Sequence, residues 1–304
     1  MEENEPKKYS VLPRRREPRG AGATRATLGS RLRGSTVLGM VALASCAPQS
    51  PRAPIAPERP MRIVSLDYCA DQYLLKLVDR DRIAAVSPDA DRDFSYMRAA
   101  ATGVPSVRPR AEDVLVLKPD LVIRSYGGGP DAAAMFARAG VPVLQIGYAN
   151  DLKAVRRVLV DTATGLGEGA RGAALAADMD RRLSALPPPD ARRPSALYVT
   201  PGGVTSGPGG LVDEMLRTAG YDNFEAESGW RTLPLERLAH EGPDLIASAS
   251  FWNAPPDRWS AARHPIVARA MRDTPVVAIE GAWTACGGWF LVDAVEALAK
   301  ARPQ

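Results

Sequence analysis

The sequence predicts an α/β fold of two lobes built on parallel sheets. Three observations carry that prediction. Short apolar, β-rich runs alternate with helical patterns through most of the chain; the stretch from Asp151 to about Leu186 is helical in pattern with no strand; and one helix–turn–strand unit occurs twice.

The first lobe spans residues 62–150. Its strands read IVSL (63–66), IAAV (83–86), LVIRS (121–125) and VPVLQI (141–146), with helical stretches at 70–78 and 130–140. Continuous rather than alternating apolar runs suit parallel strands covered on both faces. A helical connector follows over 151–190: residues 151–166 are helical, Gly167-Glu168-Gly169 interrupts, and 170–186 are helical again until PPPDARRP (187–194) stops the pattern. The second lobe spans 191–304, with strands at 196–200, 244–250 and 275–279 and a final helix at 290–301. The repeated unit is AEDVLVLKPDLVI (111–123) and LERLAHEGPDLIA (235–247): Glu112 precedes Asp120 by eight residues, as Glu236 precedes Asp244. Pro stops each helix, Asp is expected to cap the turn, and each Glu sits at the positive end of its helix.

Ahead of the lobes, residues 1–45 read as a secretory signal: a basic segment, then the short apolar run 36–45. LASC (43–46) resembles a bacterial lipobox, in which Cys46 is lipidated and becomes the new N-terminus. Residues 46–61 then form a tether; the five prolines of 47–60 make it extended and stiff, with a reach of roughly 40 Å. Cys69 and Cys286 are left as two cysteines in an oxidising compartment, open to pairing as a disulfide or to burial as separate thiols.

The composition excludes several classes. With 304 residues, 45% of them hydrophobic, the chain has matter for a real core and is not wholesale disordered. No apolar run is long enough to span a bilayer. The net charge of +4 is local: the leader carries nine Lys and Arg against four Glu, which leaves the remaining 259 residues at −1 and gives no nucleic-acid footprint. His240 and His264 have no ligand partners at metal spacing, so no bare zinc site is expected. The strings GGGPD (127–131) and SGPGG (206–210) lack the spacing of phosphate loops, and no GxSxG elbow occurs.

RIVSLDYCADQYLL (62–75), the two Glu-to-Pro-Asp-Leu units, the helical connector, residues 198–220 and CGGWFLVDAVEAL (286–298) together resemble the class III periplasmic substrate-binding proteins, which feed cobalamin and ferric siderophores to ABC importers. The resemblance implies two Rossmann-like lobes joined by a long rigid connecting helix, a ligand cleft between them, and small hinge motion. It implies a monomer that is not an enzyme, held at a periplasm-facing membrane only by its lipid, with no resident cofactor and no nucleic-acid partner. Its partners would be a small-molecule metal chelate and an ABC permease dimer with its ATPase, docked through Glu112 and Glu236. A haem-binding importer component and a chelatase-like enzyme on the same architecture are the alternatives.

Ligands of such folds collect at the carboxyl ends of parallel strands. That rule selects Tyr68, Tyr96, Arg108, Arg124 and Tyr126 in the first lobe and Trp230, Trp252 and Trp283 in the second as ligand-binding candidates. Aromatic rings with Arg suit a bulky, partly anionic chelate. SVRPR (106–110) carries no Trp where cobalamin-binding members favour one, which tilts the expectation towards an anionic iron chelate over a corrinoid.

Overall fold

The computed structural model describes residues 55–189, 192–250 and 260–302. In the first lobe the elements are β1 (Ile63–Ser65), α1 (Tyr68–Leu77), β2 (Ile83–Ala85), α2 (Arg98–Ala101), α3 (Ala111–Leu115), β3 (Leu121–Arg124), α4 (Ala132–Arg138) and β4 (Val143–Gln145). The strands form one sheet in the order β2-β1-β3-β4, parallel throughout. Central β1 and β3 are buried at every position, as strands covered on both faces must be.

The connector is a pair of helices, α5 (Leu152–Gly165) and α6 (Gly169–Ser184), rather than one continuous helix. Asp151 caps α5 by accepting from the Ala154 amide at 2.6 Å, and Leu152, Val155, Leu159 and Ala163 turn one apolar face to the core. Gly167 makes the break: its φ is +73°, and a Cβ there would lie 2.6 Å from the Glu58 carbonyl oxygen. The break is also gripped by Arg82, which is 1% exposed. Its guanidinium pairs with Glu168 and donates to the carbonyls of Leu166 at 3.0 Å and Pro60 at 2.7 Å.

The second lobe runs β5 (Ser195–Val199), β6 (Val204–Ser206), α7 (Leu211–Thr218), β7 (Asp222–Asn223), β8 (Trp230–Thr232), α8 (Leu235–His240), β9 (Leu245–Ser250), α9 (Pro265–Asp273), β10 (Val276–Glu280), α10 (Gly281–Thr284) and α11 (Leu291–Lys300). Its sheet has the order β10-β9-β5-β7, again parallel. A small antiparallel ribbon, β6 with β8, sets Ser206 opposite Trp230.

The two Pro-Asp-Leu aspartates do the same work in each lobe, and it is not turn capping. Asp120 accepts from the amides of Met61 and Arg62 at 2.7 and 2.9 Å. Asp244 accepts from the Ser195 amide at 2.7 Å and its hydroxyl at 2.9 Å. Each carboxylate therefore staples the entry of the neighbouring central strand, β1 or β5. Its hydrogen bonds to Ser195 hold the Asp244 carboxyl below its ordinary value.

Although residues 284–293 follow the second sheet in sequence, they build much of the join to the first lobe. Trp289, Phe290, Leu291 and Val292 belong to the core that also holds Tyr73, Leu74, Val155 and Leu159. Trp289 meets Tyr73 edge-on at 5.4 Å, and Phe290 stacks on Tyr96 at 4.7 Å. From the connector, Arg182 forks onto Glu296 at 2.8 and 2.6 Å and reaches Asp293 at 2.5 Å; these carboxylates raise its already high pKa.

Candidate ligand-binding cleft

The first turn of α1 organises the site. Asp67 is the N-cap, accepting from the Ala70 amide at 2.9 Å. Tyr68 donates to the Ala285 carbonyl at 3.2 Å, and Tyr73 to that of Gly287 at 3.1 Å. Between them, Cys69 forms a disulfide with Cys286. Gln72 donates to Ser95 Oγ at 2.9 Å and accepts from the Met97 amide at 2.7 Å. The stretch DYCADQY thus ties one helical turn to several loops drawn from both lobes.

Beside this turn opens a cleft of about 690 Å³. The first lobe contributes Cys69 and Tyr73, Ser125 and Tyr126 from the loop after β3, Gln145 at the end of β4 and Tyr148 from the loop beyond it. The second contributes Ser206 and Trp230 from the ribbon, Leu211, Val212 and Met215 from α7, and the loop 284–287. Tyr126, Tyr148 and Trp230 are the exposed rings of this cleft, at 54%, 89% and 63%. Trp230 leans edge-on against buried Tyr198 at 6.3 Å, whose hydroxyl shares a 3.0 Å hydrogen bond with Thr284 Oγ1. Among the described residues that line the cleft there is no Asp, Glu, Lys, Arg or His. Burial raises the Tyr126 and Tyr73 phenol pKa values, and for Tyr126 the neighbouring Tyr68 and Asp67 push the same way.

Of the sequence candidates, Tyr126 and Trp230 line the cleft. Tyr68 packs edge-on against Tyr126 at 6.0 Å and Phe94 at 4.9 Å, with its hydroxyl spent on Ala285. The other described candidates lie off it. Tyr96 stacks into the core, and its hydroxyl donates to Asp293 Oδ2 at 2.7 Å. Arg108 is exposed and paired with Asp113 at 2.9 Å. Arg124 is buried and donates to the carbonyls of Gly129 at 2.9 Å and Tyr126 at 3.1 Å. Trp283 packs against the core of the second lobe. Trp252 and Cys46 lie outside the described residues. Tyr148 and Gln145 were missed by sequence reasoning, although the strand-end rule that picked Tyr126 applies equally to the end of VPVLQI and the loop after it.

Glu112 and Glu236 are exposed in the first turns of α3 and α8. Among the described residues neither forms an ion pair, and no group of three or more His, Cys, Asp or Glu could hold a metal ion. No described helix is long and apolar enough to cross a membrane.

Two Rossmann-like lobes that share one cleft, with the chain crossing between them through a helical connector, define a two-lobe ligand-binding protein. A family model described as "Periplasmic binding protein" matches residues 63–269, and the chain belongs to that family. Its resemblance to the class III members is thereby borne out. Among curated proteins it is 27% identical over 198 residues to a cobalamin-binding protein of Halobacterium salinarum, a match that covers 62% of this chain and 54% of the relative; the chain spans about half the length of the curated relatives it matches. A periplasmic haem-binding protein from Pseudomonas aeruginosa is 26% identical, with a TM-score of 0.63 over 80% of this chain and 92% of that one. The vitamin B12-binding protein BtuF of Vibrio cholerae shares the fold at 19% identity, with a TM-score of 0.57 over 80% of this chain and 97% of its own.

Proposed function

We propose that this protein is the periplasmic substrate-binding component of an ABC importer, and that its cargo is a bulky, weakly charged macrocycle of the corrinoid class, passed on chemically unaltered. The observation that carries the reading is the cleft itself, with aromatic rings at its mouth, apolar side chains and hydroxyls within, and no charged side chain among its described lining residues. Rings give rigid contact area, and hydroxyls and backbone groups serve the amide side chains of such a ligand. This reverses the tilt towards an anionic iron chelate: Arg108 and Arg124, which would have met its oxygens, are committed to Asp113 and to backbone carbonyls.

A haem reading draws on the phenols of Tyr126 and Tyr148, since tyrosine is a known haem-iron ligand. Haem also carries two carboxylates, and the described cleft offers them no cation. Delivery would follow through Glu112 and Glu236, two separated charges that give a transient complex its register. Lipidation at Cys46 would keep the protein at the membrane, and mass spectrometry of exported protein reads it directly.

Calorimetric titration of purified protein with cyanocobalamin, a ferric tris-catecholate and hemin tests the cargo. Cyanocobalamin should bind most tightly, and Trp230→Ala should weaken it. Tighter binding of the catecholate would overturn the corrinoid reading.

A further inference from the structure

We infer that Asp67 and Arg124 are positioning residues for the ligand cleft, holding the backbone of Tyr126 between them; the inference rests on the cleft being the ligand site. Asp67 is buried, 3% exposed. While its Oδ1 caps α1, its Oδ2 accepts from the amides of Ser125, Tyr126 and Gly127 at 2.7, 3.0 and 2.9 Å. Successive N–H groups converging on one point form a nest suited to an anion, and here the protein's own carboxylate fills it.

Arg124 takes the other polar side of the same loop. Its guanidinium donates to the carbonyls of Tyr126 and Gly129. Both polar backbone atoms of Tyr126 therefore end on a buried, charged side chain, through the stronger, charge-assisted kind of hydrogen bond. Gly127 lets the loop run close against the end of β1, because a Cβ there would lie 2.3 Å from the Leu66 carbonyl oxygen.

The consequence concerns binding. Ser125 and Tyr126 line the cleft, whereas Asp67 and Arg124 do not. A run of three glycines, 127–129, would leave an ungripped loop to be ordered by the ligand at a cost in affinity. Gripped in advance, Tyr126 presents its ring before the ligand arrives. The charges thus act on the ligand through the loop they hold, above all through the Tyr126 ring.

Asp67→Ser tests this, since serine keeps the helix cap and removes the oxygen that holds the loop. Two readouts are needed, amide hydrogen exchange without ligand and cyanocobalamin affinity in both the native and Tyr126→Ala backgrounds. The expected result is faster exchange confined to residues 125–129. Affinity should fall about tenfold or more in the native background and by less than about twofold beside Tyr126→Ala. Equal losses in both backgrounds, unchanged exchange, or loosening spread through the whole lobe would overturn the inference. If Asp67→Ser does not fold, Arg124→Gln is put through the same two measurements. If native protein fails to bind cyanocobalamin, the corrinoid reading falls, and the exchange pattern together with the same cycle run on hemin decides the positioning role.

Discussion

The Tyr96 hydroxyl donates to Asp293 Oδ2 at 2.7 Å, while Asp293 Oδ1 receives Arg182 at 2.5 Å. One carboxylate thereby joins a loop of the first lobe, the C-terminal helix and the connector. Burial, and then the hydrogen bond to Asp293, push the Tyr96 phenol up to about 12. Tyr96→Phe keeps the ring stacked on Phe290 and loses only the hydroxyl. It should cost about 1–2 kcal/mol in urea unfolding and leave ligand affinity unchanged, because the phenol works in the seam.

The Cys69–Cys286 disulfide closes a loop over a sequence separation of 217 residues. The chain-entropy model sets a ceiling of about 5 kcal/mol for so long a loop. Reduction, or the double change Cys69→Ser with Cys286→Ser, should lower the unfolding free energy by about 2–5 kcal/mol and leave a folded protein, since Tyr68, Tyr73 and Arg182 still bridge the same region. Unfolding on reduction alone would show that these contacts depend on the covalent bond.

Asp71 gives a pH dependence. Burial raises its pKa from 3.8 to about 6, against the opposing hydrogen bonds from Ser87 and Ser65. The folded protein therefore keeps this proton to a higher pH than the unfolded chain, and stability falls as pH rises between about 4 and 6. Above about pH 6 the loss is complete. Asp71→Asn keeps an acceptor for the Ser87 amide and cannot ionise. Relative to the native protein it should gain on the order of 2–3 kcal/mol between pH 4 and pH 7, read by urea unfolding at both. A pH-independent difference would rule Asp71 out as the source.

For delivery, the expected outcome of Glu112→Arg with Glu236→Arg is loss of cellular uptake with ligand affinity held within about twofold. Both residues are exposed and lie outside the cleft, so calorimetry and uptake should separate cleanly. Normal uptake by the double variant would remove the docking role.

The sheets, apart from the two-residue polar edge strand β7, were legible in the sequence because their strands are continuous apolar runs, and the break at 167–169 because Gly-Glu-Gly cannot continue a helix cheaply. The ribbon of β6 and β8 was not, since each strand is only three residues long and α7 intervenes. Among loop aromatics, Tyr96 and Tyr126 look alike in sequence; what separates them is α11, which meets the first and leaves the second open. Arg82, in the string RDR, reads as a solvated charge, and only the fold brings Pro60, Leu166 and Glu168 around it. The cysteine pair was legible as an option, because pairing needs a distance that spacing does not supply.

Trp289 and Phe290 complete a core whose other buried members, apart from the adjoining Leu291 and Val292, lie more than a hundred residues upstream. During synthesis, then, the first lobe emerges before side chains of its own core, which only residues far downstream supply. A chain cut short before Trp289 is therefore expected to lose packed core from both lobes at once.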